Sequence, residues 1–473
     1  MRSASSAPPL RGIRAPRAPR PRAPGGHSFA APRALAQADV EGRVVVVGGG
    51  IAGLATSIAL TKVGVPNVVV ERSAGEPPRP ARPRDPAGDR PPPNPPSTAP
   101  PDARAGPDAP GASIALQTNA WQALSALGVD EAVREGSGEC TRFEICSAGG
   151  APLAAFGFDE CTEAGPHEFR GIRRRELVGA LHDACRGDVR YGVDVAGADL
   201  RRPEEPRLVL GSGERLRCRA VVGADGARSR VARGLGVPPP NLAGMTAHRG
   251  VAEFGEGELA GVLPPGTIRM LWGSGARAGL YPINDREAYW FTVFDDAGAP
   301  RPPEPGERLR EEALGVVRGW GGGIREAIAR TPAGSLTRNR VADRWVAPGS
   351  EVGRGPVTLV GDALHPSTPN LGQGGACALE GAVRLAGALR RAGVAGAAWG
   401  RASPGEVAAA MRAYERAQTR RVFPLQARSW AMGRALHLPF PVTLARDAVV
   451  GRVLRPDGFM HHASFEHEPL TPP

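Results

Sequence analysis

Two glycine-rich stretches carry residue types that can hold phosphate groups and sugar hydroxyls. In "VVVVGGGIAGLA", Gly48, Gly50 and Gly53 stand at the G-x-G-x-x-G positions, and Glu71 follows at the end of the next apolar run. The first glycine permits a tight turn, the second lets backbone approach a pyrophosphate, and the third lets a helix pack on a strand. Free amides and the positive dipole end of that helix suit an anion, while Glu71 is placed to accept from ribose hydroxyls. An acid there favours an unphosphorylated ribose, as in FAD or NAD, over NADP, without deciding between the two. The second stretch, "GDALHPSTPNLGQGGACALEGA" at 361–382, sets Gly361-Asp362 after an apolar run, then Pro366 and Gly372-Gln373-Gly374-Gly375 ahead of a helical pattern. A shorter turn, Asp225-Gly226, ends another apolar run, with Ser229 placed to cap a helix.

The elements that must position these turns are legible around them. "RVVVVGGGIAGLATSIALTKVGVPNVVVER" reads as strand, turn, helix and strand, its four valines forming a continuous run suited to a buried parallel strand. Residues 74–110 then hold fourteen prolines, five acids and five arginines with no apolar periodicity. Such a segment cannot offset its ordering entropy, so it reads as a disordered insertion within one domain. "GASIALQTNAWQALSALG" resumes a strand and a helix after it.

Composition narrows the class. The 41% apolar content supports a large core, and 5% aromatic residues argue against a stacking-rich nucleic-acid binder. Lys62 is the only lysine, so the +11 charge is carried by arginine; seven arginines precede Asp39, the first acid. No nucleic-acid partner is expected from this charge. Residues 1–38, rich in Ser, Ala and Arg, read as an organellar transit peptide with cleavage near 34–38. Prolines 16, 19, 21 and 24 break any amphipathic helix across the arginines, which favours a plastid (chloroplast), with the mitochondrion as the alternative. Six cysteines show no C-x-x-C pair or metal-ligand spacing and read as reduced core thiols, and no metal site is expected. No apolar run is long enough to span a membrane, although 422–455 mixes Trp430, Leu436, Phe440 and Leu444 with arginines and could make peripheral membrane contact.

The three nucleotide turns, in this order and spacing, resemble those of the class A flavoprotein monooxygenases, the family that includes salicylate hydroxylase, zeaxanthin epoxidase and plant FAD-dependent monooxygenases. "FRGIRRRELVGAL", with Arg174 three residues before Leu177, "HRGV" at 248, "GLYPINDREAYWFTVF" at 279 and "YERAQTRRVFPLQARSWAMGRAL" near the C-terminus resemble further family segments. The resemblance covers about residue 42 to about residue 455.

It implies an α/β fold: a Rossmann-like FAD-binding domain interleaved with a smaller β-sheet substrate domain, followed by C-terminal helices. The expected parts are FAD-binding at 39–73, 111–235 (with substrate-domain strands) and 341–400, substrate domain at 236–340, and helices and tail at 401–473. It also implies FAD as cofactor, NADPH or NADH as electron donor, and oxygen transfer through a flavin C4a-hydroperoxide to a small aromatic or isoprenoid molecule. The first turn would hold the ADP half of FAD. Arg174, Asp225 and Gly226 would lie by the cofactor, Asp362 at the ribityl chain, and Pro366 with Gly372 to Gly375 along the flavin ring. Tyr281, Tyr289, Trp290 and Phe291 are available to a substrate pocket, and the resemblance names no catalytic side chain. His365 reads first as a loop histidine and second as a general acid. Reductase chemistry of the geranylgeranyl reductase kind, or flavin binding without turnover, stays open on these residues. Ser113 and Gly381 depart from the family pattern, the first from a glycine and the second from an acid.

Overall fold

Val44–Val47 is buried at the centre of a five-stranded parallel sheet. Its neighbours are Ala220–Gly223 on one side and Asn67–Val70 on the other, with Val357–Leu359 and Asp188–Arg190 at the edges. Both faces are covered, which is why these strands are continuous β-branched runs instead of alternating ones. Val44, Val46, Val69 and Val222 share a core with helices Ile51–Lys62 and Gly374–Arg391. Val45, Val47, Val68 and Val221 face the opposite way, against the antiparallel strands Val195–Asp199, Arg207–Leu210 and Arg215–Arg217.

The computed structural model describes residues 35–75, 113–161, 167–296, 306–453, 456–467 and 469–470, all within one compact unit. The expected leader up to residue 34 and nearly all of the proline-rich segment lie outside the described residues. One boundary moves. Leu35 is buried in the sheet core and Gln37 bonds the backbone of Arg217, so the folded chain reaches ahead of Asp39.

A second sheet of seven strands runs in the order Thr337–Asp343, Asn241–Glu253, Glu287–Asp295, Ala276–Pro282, Thr267–Trp272, Arg142–Ser147, Pro152–Gly157. All its pairings are antiparallel except that of Thr267–Trp272 with Arg142–Ser147. Side chains of a strand alternate between faces, and directly paired residues share one. Ala278, Leu280, Trp290 and Leu271 thus pack on helices Glu307–Val316 and Ile324–Ala329. Val251, Ile268, Tyr281 and Tyr289 pack on the other side with Phe169, Met460 and Ala463. A small antiparallel sheet, Ser113–Leu116, Arg170–Arg173 and Ser137–Glu139, lies on this side, and Arg173 spans from it to Glu287 through two bonds of 2.9 and 2.7 Å. The chain closes with helix Pro404–Leu436, helix Val442–Val453 and a short C-terminal segment.

Candidate active site

The glycines of the first turn divide their duties. Gly48 has φ +113°, and a Cβ there would meet the Ala224 carbonyl oxygen at 2.5 Å; one on Gly53 would meet the Gly48 carbonyl oxygen at 1.8 Å. These two therefore fix the turn and the seat of helix Ile51–Lys62 on the sheet. Gly50 begins that helix without a side-chain cap, and a Cβ on it would meet nothing within 4 Å. The helix start faces open space with its amides free, as an anion cradle requires. Glu71 accepts from the Gly49 amide at 2.6 Å and from the Ser73 amide and hydroxyl at 2.8 and 2.9 Å. It braces the turn as well as facing the position of a ribose, a duty that spacing alone did not show.

The second turn meets the first. Gly361, with φ +57°, lies so near that a Cβ would meet that of Ala52 at 2.8 Å and that of Ala378 at 3.3 Å, touching both glycine-led helices at once. Asp362 follows. Its side chain is open to solvent, yet the surrounding protein pushes its carboxyl up by burial, with Arg174 and Arg344 pulling it partly back. Burial lowers the Arg174 guanidinium, and Asp362 offsets part of that.

Helix Gly374–Arg391 also starts without a side-chain cap, and a Cβ on Gly374 would meet nothing within 4 Å. Gly372, at φ +66°, turns the chain into it, while Gly375 lies against Ile114. Pro366 is buried, its carbonyl accepting from the Arg344 amide at 3.0 Å. The side chain of Gln373 takes no part in facing the helix start. It is buried and turned inward, donating to Gln117 at 2.7 Å and accepting from Asn119 at 2.7 Å, so only its backbone is left for a ligand.

Asp225 accepts from Ser229, which caps helix Arg230–Gly234, and from the Arg230 amide at 2.7 Å. Gly226, at φ +78°, again has open space where a Cβ would be. His365 is packed: it is 1% exposed, 3.2 Å from Gln418, and burial pushes its imidazole down to about 4. A group so enclosed and neutral fits the loop-positioning role and not that of a general acid. Five of the six thiols are buried and Cys185 is partly so, and none is in a disulfide. Among the described residues no cluster could hold a metal ion.

Three arginines and a polar network escaped the sequence reading. Arg344 donates to the carbonyls of Pro238 at 2.6 Å and Ala363 at 2.7 Å, tying the Asp362 loop to the chain that follows the Asp225 turn. The "ADRW" segment ahead of the last parallel strand was its only signal. Arg277 is 1% exposed, donates to Asn370 in the loop, lies 5.5 Å over the Phe291 ring, and is lowered by burial to about 10. Arg249 lies near Tyr289, Arg174, Arg277 and Tyr281. Register sets Arg249, Phe291 and Gly279 on the sheet face that looks toward the loop, with Arg277, Tyr281 and Tyr289 two positions along. Trp290 faces the other way, bonding Thr331 at 2.7 Å, so it drops out of the pocket candidates.

The network lies behind the loop. Asn119 also donates to Glu380 at 2.6 Å, Arg421 grips Glu380 at 2.9 and 3.0 Å, and Arg421 donates in turn to the carbonyls of His462 and Ser464. His462 closes the circuit 3.1 Å from Gln117, whose amide donates to the Leu371 carbonyl at 2.9 Å. The two departures from the family pattern find places here. Ser113 donates to the Ile172 carbonyl at 2.6 Å, and a Cβ on Gly381 would sit 3.3 Å from the Tyr414 hydroxyl, leaving no room for a carboxylate.

Residues 188–399 match the FAD binding domain family. The chain is 31% identical to the aurachin C monooxygenase/isomerase of Stigmatella aurantiaca over 350 residues, covering 72% of this chain and 79% of that one. It is 28% identical to the chloroplastic zeaxanthin epoxidase of Solanum lycopersicum, over 80% of this chain and 52% of that protein. The crystal structure of Klebsiella pneumoniae HpxO complexed with FAD and uric acid superposes with a TM-score of 0.70 at 22% identity, covering 89% and 95% of the two chains.

Proposed function

The chain belongs to the class A flavoprotein monooxygenases, FAD-dependent oxidoreductases that use NAD(P)H and O2, and from that membership we propose that it hydroxylates or epoxidises a small aromatic or isoprenoid molecule held against the Arg249 face of the seven-stranded sheet. The observation that carries the reading is Asp362, open to solvent near Arg174 and Arg344, in the turn that meets both glycine-led helices.

The residues fit an extended dinucleotide. Gly50 and the amides behind it would hold the pyrophosphate, Glu71 the adenosine ribose, Asp362 a ribityl hydroxyl, and the backbone of Gly372 to Gly375 the pyrimidine edge of the ring. When bound, FAD takes up electrons from the nicotinamide donor and activates oxygen. The protein's own part is to bind, orient and keep water out. The Gly374 helix start would favour negative charge on a ring held there, because its dipole and free amides are already in place and cost no reorganisation. Tyr281 and Phe291 present apolar ring surface to the substrate, and Tyr281, 5% exposed, keeps its proton because burial raises it well above its ordinary range. Arg249, near Tyr289 and in no ion pair among the described residues, is suited to a ring hydroxyl or carbonyl oxygen of the substrate.

A largely apolar substrate is stored in lipid, so peripheral contact with a membrane belongs to the same reading. So does a plastid address in residues 1–33. Leu35 is already part of the fold, so removal of a leader would fall upstream of it. A fluorescent fusion of residues 1–33 should accumulate in plastids of a plant cell, and diffuse cytosolic signal refutes the address.

The test of function is anaerobic mixing of the FAD-loaded protein with NADPH or NADH, followed by isotopically labelled oxygen and a panel of phenols, quinolones and carotenoids. Flavin bleaching by donor and one labelled oxygen atom in a product support the proposal. Bleaching with hydrogen peroxide as the only oxygen product across the panel refutes it.

A further inference from the structure

Among the described residues, five of the seven large apolar side chains most open to solvent fall between positions 430 and 449. They are Trp430 at 46% exposure, Phe440 at 70%, Val442 at 47%, Leu444 at 61% and Val449 at 49%. Leu436, grouped with them by the sequence, is instead buried at 3% and anchors the helix end from below. Trp345 adds its edge to the Trp430 ring at 6.5 Å. Folding normally hides such residues, so a patch of this kind on a soluble protein marks a surface with a partner.

Arginines outnumber acids around the patch. Arg434 lies over Trp430 at 5.5 Å, Arg428 donates to the Gly458 carbonyl at 2.9 Å, and Arg452 to the Ala448 carbonyl at 3.2 Å. None of the three is in a described ion pair. Of the nearby acids, Asp447 is paired with Arg446 at 2.8 Å, Asp295 bonds His437 at 2.7 Å, a histidine that burial pushes toward its neutral form, and Asp457 precedes Gly458. Apolar side chains rimmed by guanidinium groups that are in no described ion pair match the acyl boundary and anionic headgroups of a bilayer. A second copy of this chain would set arginine against arginine across a two-fold axis, which opposes it.

The patch is also fixed to the substrate sheet. Phe440 donates its amide to Ser274 at 3.0 Å, and Arg446 donates to the Gly273 carbonyl at 3.1 Å while lying 5.4 Å over the Trp272 ring. Residues 273–275 link the strands that carry Met270 and Arg277 on the loop-facing side, and Gly433, one turn before the end of the long helix, touches Asn370 of the loop itself. Whatever seats on the patch therefore lies beside one end of the face assigned to the substrate.

We propose that the end of helix Pro404–Leu436, the turn at 437–441 and helix Val442–Val453 form a docking surface for an anionic lipid bilayer, beside which a lipid-dissolved substrate enters. The entry route rests on the substrate reading above; the docking surface does not.

The experiment is co-sedimentation of the FAD-loaded protein, begun at residue 34, with phosphatidylcholine vesicles lacking or containing phosphatidylglycerol. Wild type should pellet with the anionic vesicles and release as salt is raised. F440S/L444S should bind at least about tenfold more weakly, since each side chain contributes more than the equivalent of one decade in affinity when inserted. R434Q/R452Q should lose the preference for anionic vesicles. Donor-dependent flavin reduction is measured without vesicles on each protein, and its persistence in F440S/L444S shows that the fold and the flavin site are intact. Wild type remaining in the supernatant at low salt, or F440S/L444S pelleting like wild type, overturns the docking surface. A wild-type dimer that F440S/L444S converts to monomer overturns it in favour of self-association. Docking with no flavin reduction by either donor would leave the surface standing and refute the enzymatic reading instead.

Discussion

Replacing Arg421 by methionine should be among the most damaging single changes outside the cofactor cleft. Glu380, with none of its side chain exposed, receives both the Nε and an Nη of Arg421, while Arg384 stands off at 3.9 Å. With Arg421 gone, the carboxylate keeps only the amide of Asn119 at close range, and the carbonyls of His462 and Ser464 lose a donor. Breaking a buried pair by removing one partner costs about 3–5 kcal/mol, because a desolvated charge is left behind, and the two carbonyls push R421M toward the upper end. E380Q removes that charge and should cost about half as much. The double variant R421M/E380Q should then be less destabilised than the sum of the singles by about 1–3 kcal/mol. Urea unfolding of the FAD-free proteins followed by tryptophan fluorescence gives the three differences. Because Asn119 also holds Gln373 at the head of the flavin-loop helix, R421M should in addition speed FAD release from the loaded protein. A cost below about 1 kcal/mol for R421M, the value of a solvent-exposed pair, or strict additivity in the double variant, would refute the reasoning.

Other expectations are simpler to check. Gly50→Val should leave the circular dichroism spectrum intact while weakening FAD binding by titration, whereas Gly53→Val should fail to fold, since its Cβ would overlap the Gly48 carbonyl. Gly381→Asp should be destabilising in melting experiments, because the side chain runs into Tyr414 and Gln418. Arg249→Met should raise KM for the substrate more than it lowers the rate of flavin reduction in single-turnover mixing; equal losses in both would assign it to the flavin instead. His248 and His365 are pushed by burial from 6.5 to about 3 and about 4, so the unfolded chain binds protons that the folded one refuses. Their contribution is full above about pH 6.5 and is lost as pH falls through 4, with a slope approaching about 1.4 kcal/mol per unit for each group. Urea midpoints at stepped pH should drop in that window, and H365N should flatten the drop.

The sequence reading succeeded where structure is built from backbone. The valine run and the Ser229 cap are local signals, and the architecture implied by the family resemblance is the one observed. Side chains that act across the fold were harder to see. Arg344, Arg249 and Arg277 are three of 58 arginines in a chain with one lysine, and nothing in composition separates a buried arginine from one on the surface. The inward turn of the Gln373 side chain was hidden for a related reason: its amide partners lie more than 250 positions earlier, in Gln117 and Asn119. Alternation did sort Tyr289 and Phe291 from Trp290 only partly, since it says which residues share a face but not which face meets the cofactor domain.

The polar circuit behind the flavin loop has a temporal side. Gln117 and Gln122 belong to the first third of the chain, yet they are met by His462 and by the amide of Phe465, 345 and 343 positions later. A ribosome therefore delivers the two sides of the circuit far apart in time. The glycine turns emerge before His462 and Phe465, so the loop at 361–375 stands without this support until those residues have followed it. The circuit is the late-arriving brace of turns that are made early.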